Sequence, residues 1–208
     1  MRMDLIGAPL FAIQLTPSDL VSSFVVVSML VLGVGALLLG AFRPRATAKT
    51  ILLFGLFSCL YGARLLVSLT IFESIHGIAP YVTAATRQAM TYVVLLPLML
   101  LVQEFIGSGW HGTMRATVWL QAVYTIAGVV SVFVSPLREG FAAAKPYIVI
   151  VIGLFAFVNI LIASRQRPEV PKSMTVGFSI FFGTVGLFNL TIIMRSSAFA
   201  AAEVIGYV

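Results

Sequence analysis

The 208-residue sequence is 60% hydrophobic and only 10% charged, with a mean hydropathy of +1.08. A soluble domain carries roughly 25% charged residues, so this composition excludes an ordinary soluble protein and indicates an integral membrane protein. The net charge is +6, but the basic residues cluster at the ends of apolar segments, where they set membrane orientation. We therefore expect membrane lipids, and no nucleic acid, as partners.

The sequence predicts that residues 1–19 form an N-terminal segment separate from the membrane spans. One early arginine and a short apolar stretch resemble a signal peptide, but Asp4, Pro9 and the lack of a small-residue cleavage site argue against one. We expect residues 1–19 to lie at the membrane surface and residues 20–208 to form a transmembrane helical bundle.

Six apolar segments are long enough to cross a hydrocarbon core about 30 Å thick. They predict an all-α, polytopic bundle with spans at about 20–42, 50–72, 87–105, 117–134, 147–164 and 174–194. Pro97 predicts a kink in the third span. The tail SSAFAAAEVIGYV is typical of a helix that stops after about three turns, too short to cross. We therefore expect a seventh span that is truncated in this chain.

The distribution of lysine and arginine predicts the orientation. Seven of these residues follow spans one, three and five, including the clusters RPRATAK and SRQRPEVPK, against five on the opposite side. This bias places the N-terminus outside.

Residue types needed for catalysis are sparse. Both histidines, His76 and His111, fall in connections, and no group of Cys, His, Asp and Glu has metal-ligand spacing. The lysines Lys49, Lys145 and Lys172 fall at or beyond predicted helix ends. We expect no catalytic residue, no metal site and no cofactor, so any enzyme activity would belong to a domain beyond Val208.

Arg64, in the stretch LYGARLLVS, is the charge that needs an explanation. A charge at membrane depth costs roughly 2.5–3.5 kcal/mol on insertion scales. Arg64 is fourteen residues after Thr50, which places it roughly 21 Å up the second span and roughly 12 Å below its outer end. Glu104, the acidic residue within the predicted spans, falls at the opposite membrane face, so a direct ion pair with Arg64 is excluded.

Polar residues of other spans reach the same depth as Arg64. Tyr92 and Asn189 fall roughly 8 Å below the outer face, Gln88 lies above them, and Tyr61 lies one turn below Arg64. Arg64, Tyr61, Tyr92, Gln88 and Asn189 predict a pocket that opens outward. A guanidinium with five donors suits a carboxylate or phosphate, so a small anionic ligand is expected.

Other roles for Arg64 remain open. Its side chain can extend to lipid headgroups or to Glu73, donate to backbone carbonyls at a helix junction, or meet a partner subunit. Asn159, in the fifth span, predicts an interhelical hydrogen bond.

Three stretches carry a family resemblance: FRPR, LLFGLFSCLYGARLLVS and EFIGSGWHGTMRATVWL. Together they resemble the membrane regions of bacterial seven-transmembrane receptors with diverse intracellular signalling modules. The resemblance implies a location in the bacterial inner membrane and a cytoplasmic kinase, cyclase or phosphatase beyond this chain. Such receptors often carry a folded extracellular domain, whereas about twenty residues precede the first span here. Sensing is therefore expected in the helices or in the outer loops 73–86 and 135–146.

The sequence thus predicts a sensory input module that couples a ligand or the state of the membrane to a cytoplasmic effector. A homodimer is compatible with this role. The alternative is an accessory structural subunit of a larger membrane complex, with other membrane subunits as partners. A transporter or channel would be expected to show discontinuous helices and paired repeats, and neither is convincing here.

Overall fold

The computed structural model describes residues 17–69, 80–166 and 172–206, and these ranges are helical with short connections. The described α-helices are α1 (Pro17–Ala41), α2 (Arg45–Val67), α3 (Pro80–Val93), α4 (Leu95–Ile106), α5 (Thr113–Phe133), α6 (Ser135–Gln166) and α7 (Lys172–Gly206). A 3-10 turn, Trp110–Gly112, leads into α5.

Six segments of the described chain are long and apolar enough to span a membrane, with α3 and α4 together forming the third. The all-α class and the six predicted spans are therefore confirmed, and the protein is a multi-pass membrane protein by the length and composition of its helices. The helix breaks at Val94, between α3 and α4. Pro97 has no N–H for the carbonyl of Val93, which accounts for a break here. Val94 itself keeps helical backbone angles, so the bend stays a prediction.

Two helices begin well before their predicted starts. α3 begins at Pro80 rather than at 87, and α6 begins at Ser135 rather than at 147. A proline in the first turn costs no hydrogen bond, and three consecutive alanines, 142–144, favour continuation of α6 through Pro146. The predicted outer loops 80–86 and 135–146 are thus helical, and residues 70–79 lie outside the described residues.

The predictions for the two termini have different outcomes. Residues 1–16 of the predicted surface segment lie outside the described residues, and α1 already begins at Pro17. Residues 196–206 continue α7 instead of opening a new helix, because no glycine or proline interrupts the chain between 187 and 205. The seventh span and the outside N-terminus remain predictions.

α1 packs along α2 through small residues. A Cβ built on Gly55 would lie 2.9 Å from the carbonyl oxygen of Gly33, and one built on Gly62 would lie 2.9 Å from Leu30 Cγ. Such close backbone approach is typical of membrane helix pairs. Without a hydrophobic driving force between helices in lipid, small residues allow the close van der Waals packing that holds the pair together.

The core lies between α3, α4, α5 and α6. Its most buried large side chains include Tyr92, Met99, Met114 and Ile152. α7 packs mainly against α6 and approaches α2 through an edge-to-face contact of Phe181 with Phe57. Cavities lie between α7 and α2, so these two helices are not closely packed along their whole length.

Candidate ligand-binding cavity

Arg64 lies in the last turn of α2, since that helix ends at Val67 rather than near 72. Here the free carbonyls of the helix end favour a cation. The Nε–H of Arg64 donates to Thr91 Oγ1 on α3 at 2.8 Å, and the Thr91 hydroxyl donates to the Arg87 carbonyl at 2.8 Å. The guanidinium is therefore held against α3, and its terminal amino groups have no acceptor in the described part of the chain.

A cavity of about 420 Å³ opens beside Arg64. Four of the five predicted site residues, Arg64, Tyr61, Tyr92 and Asn189, line it, while Gln88 does not. The wall comes from α2 through α7: Phe57, Tyr61, Arg64, Thr91, Tyr92, Val94, Leu95, Tyr124, Lys145, Val149, Phe181, Thr184, Val185, Phe188, Asn189 and Ile192. Four of the five predicted residues thus line one cavity of small-ligand size, and the ligand site itself stays a prediction.

Lys145 is the main residue that sequence reasoning missed. It was assigned to a helix end, but α6 runs through it and places it in the cavity wall. Its Nζ lies 5.7 Å from the ring centroid of Tyr92, within the range of a cation–π contact. The run AAAK favours a helix that includes Lys145, whereas Pro146 directly after it suggests a helix boundary.

Two buried tyrosines form another part of the wall. Tyr92 and Tyr124 meet edge to face, with ring centroids 5.4 Å apart, and are 1% and 5% exposed. Neither hydroxyl has a hydrogen-bond partner among the described residues. An unpaired buried polar group costs about 1–3 kcal/mol, so these enclosed hydroxyls lower the stability of the wall.

The cavity wall is positive. Arg64 and Lys145 line it, and none of the described lining residues is acidic. Glu104 instead forms an ion pair with Lys49 near the opposite end of α2. The prediction that Glu104 does not pair with Arg64 is therefore confirmed. Glu73, the other suggested partner, lies outside the described residues. The described wall therefore leaves two cations without a neutralising carboxylate.

Asn159 makes the predicted interhelical contact at a distance from this cavity. Its Oδ1 accepts hydrogen bonds from the Trp110 amide at 3.1 Å and the Thr113 hydroxyl at 2.7 Å. It therefore caps the start of α5 from α6 and belongs to the scaffold.

Comparison with protein-family models, curated proteins and solved structures found no match for this chain. The function must therefore be inferred from the cavity itself.

Proposed function

We propose that this protein is a membrane-embedded sensory module that binds an anionic ligand in the Arg64–Lys145 cavity. Its output would be a cytoplasmic effector, and its location the inner membrane of a bacterium with the N-terminus outside. The observation that carries the proposal is the pair of cations on a cavity wall whose described residues include no carboxylate.

The energetics favour an anion. Each charge at membrane depth costs roughly 2.5–3.5 kcal/mol unless it is paired. The terminal amino groups of Arg64, which have no acceptor among the described residues, suit two oxygens of one carboxylate or phosphate. Lys145 supplies a second point charge. A bound anion would offset both costs at once.

Coupling would run through α7. This helix packs mainly on α6, while its other face lines the cavity opposite α2. A ligand that contacts both α2 and α7 would favour one separation of these helices over others, which is the requirement for a ligand to shift a conformational equilibrium.

The alternative, an accessory subunit of a larger complex, uses Arg64 to contact a neighbour. The internal hydrogen bond to Thr91 and the position of Arg64 in a cavity wall support the ligand site instead.

The test is thermal unfolding of the purified protein in nanodiscs with a panel of carboxylates and phosphates of different tail lengths. We expect at least one anion to raise the unfolding midpoint of wild type, and Arg64→Leu to abolish that shift. Arg165→Leu, an exposed position in the last turn of α6, is the matched control and should retain it. If Arg64→Leu responds like wild type, the site is wrong.

A second variant separates the ligand from an internal partner. Glu73→Gln removes the carboxylate that could neutralise Arg64 from the segment 70–79. The proposal expects this variant to bind the anion at least as tightly as wild type, whereas a loss of binding would contradict it.

A further inference from the structure

The cationic cavity has a neighbour along α2 and α7. A second cavity, of about 470 Å³, shares Phe57 and Phe181 with it. The rings of these two residues meet edge to face, with centroids 6.3 Å apart. The two cavities therefore adjoin along α2 and α7 at this aromatic pair, and the two together are called the groove below.

The residues of α2 that line the groove form a single stripe with helical spacing. Thr50, Phe54 and Phe57 line the second cavity, and Phe57, Tyr61 and Arg64 line the first. Their separations of three and four residues place them on one face of the helix. From Thr50 to Arg64 this stripe rises about 21 Å.

The opposite wall of the groove is a matching stripe on α7. Met174, Phe178 and Phe181 line the second cavity, and Phe181, Val185 and Asn189 line the first. Because residue numbers increase in the same direction on both walls, α2 and α7 run parallel along the groove.

The two ends of the groove differ in chemistry. The second cavity is lined by apolar side chains and Gly177, with Thr50 as its polar member. The first carries the two cations, Arg64 and Lys145. A ligand that fills the whole groove would need an anionic group at one end and a long apolar part at the other.

We propose that the groove binds a single-chain anionic amphiphile. A carboxylate or phosphate monoester head would lie between Arg64 and Lys145, and one acyl chain would pass the Phe57–Phe181 pair into the second cavity. This inference rests on the proposed function and specifies its ligand class. In the proposed orientation the head points outward and the chain inward, as in a lipid of the outer leaflet. The chain would occupy the space between α2 and α7, so the position of α7 would report occupancy.

The experiment uses the purified protein in phosphatidylcholine nanodiscs. Palmitate and palmitoyl lysophosphatidate are compared with hexadecanol, which lacks the charge, and with acetate and inorganic phosphate, which lack the chain. We expect an upward shift of the unfolding midpoint with palmitate, lysophosphatidate or both. Hexadecanol should give no shift, and the short anions a smaller one or none. The two amphiphiles distinguish a carboxylate head from a phosphate head.

Two glycine variants of α7 test the chain site. Gly177 lines the second cavity and has no atom within 4 Å of a built Cβ, so Gly177→Leu would fill the space intended for the chain. Gly183, on the same helix, also has no atom within 4 Å and lines a different cavity, facing α6. We expect Gly177→Leu to lose the shift with the amphiphiles and Gly183→Leu to keep it.

The outcomes separate this inference from the function on which it rests. If short anions shift wild type and Gly177→Leu as strongly as palmitate does, the amphiphile is wrong and the anion site stands. If no anion produces a shift, the proposed function fails as well. An equal shift with hexadecanol overturns recognition of the anionic head.

A labelling measurement keeps the test valid if Gly177→Leu does not fold. Palmitate with a diazirine near its methyl end should label segments 98–105 and 174–181, which line the second cavity. Equal labelling of α1, whose apolar outer face is exposed, would overturn the proposal.

Discussion

Gly128 on α5 lies directly against the ring of Tyr92 on α3: a Cβ built on Gly128 would be 2.5 Å from both Cγ and Cδ1 of that ring. Tyr92 is almost fully buried and forms part of the cavity wall, so its ring has space to move only on the cavity side. Gly128→Ala should therefore displace the ring, with a cost of about 1–3 kcal/mol typical of overpacking. Unfolding in nanodiscs should show the loss of stability, and anion binding should weaken with it.

Gly140→Ala is the control for this substitution. Gly140 lies in α6, and a built Cβ meets no atom within 4 Å. Replacement of an unstrained helical glycine by alanine stabilises by about 0.4–1 kcal/mol. Equal stabilities of the two variants would show that Tyr92 is not fixed as described.

Thr91 positions Arg64, and its removal should weaken both stability and anion binding. Thr91→Val keeps the shape of the side chain but deletes the acceptor of the 2.8 Å hydrogen bond from Arg64 Nε. Hydrogen bonds to charged groups contribute about 1.5–3 kcal/mol, so a loss of this size in the free energy of unfolding is expected.

Thr83→Val, on the same helix, should behave differently. The Thr83 hydroxyl is buried and has no partner among the described residues. Its replacement removes an unpaired polar group, so stability should be unchanged or higher. Equal losses of stability for Thr83→Val and Thr91→Val would mean that the hydrogen bond from Arg64 to Thr91 contributes nothing measurable to stability.

Replacement of Lys145 should raise the stability of the ligand-free protein but reduce the stabilisation by a bound anion. Lys145→Met keeps the apolar stem but removes one of the two cations from the cavity wall. The ligand-free protein should become more stable, because a half-buried charge beside another cation is removed. The rise of the unfolding midpoint on anion binding should shrink. Lys172→Met, exposed at the start of α7, should change neither quantity. A stability loss in ligand-free Lys145→Met would contradict this assignment.

The apolar runs predicted the six spans because length and hydropathy alone decide whether a helix can cross a membrane. The helix starts were less predictable. Pro80 and Pro146 look like loop residues, yet one sits in a first turn and the other is tolerated within α6. The misplaced start of α6 is what removed Lys145 from the predicted site.

Counting residues along each span predicts how deep a side chain lies in the membrane. By that count Arg64, Tyr61, Tyr92 and Asn189 lie at similar depths. Depth does not specify the rotation of each helix or its neighbours. Thr91 and Tyr124 therefore could not be assigned as contacts of Arg64 and Tyr92, and Gln88 was included although it does not line the cavity. Such lateral contacts depend on the packing of all the helices together.

The connection between α4 and α5 contains two glycines with positive φ but different ψ, −176° at Gly109 and 8° at Gly112. The conformation of Gly109 is the one restricted almost entirely to glycine. Gly109 and Gly112 both have positive φ, 74° and 78°, which disfavours any residue with a Cβ. A Cβ on Gly109 would also collide with Asn159 Oδ1 and lie 2.7 Å from Met114 Cβ, whereas one on Gly112 meets nothing within 4 Å. Gly109→Ala should displace Asn159 and break its hydrogen bonds to Trp110 and Thr113, so its loss of stability should exceed that of Gly112→Ala by about 1–3 kcal/mol. Unfolding measurements on both variants test this difference. Equal losses would mean that neither the backbone conformation of Gly109 nor the cap supplied by Asn159 contributes measurably to stability.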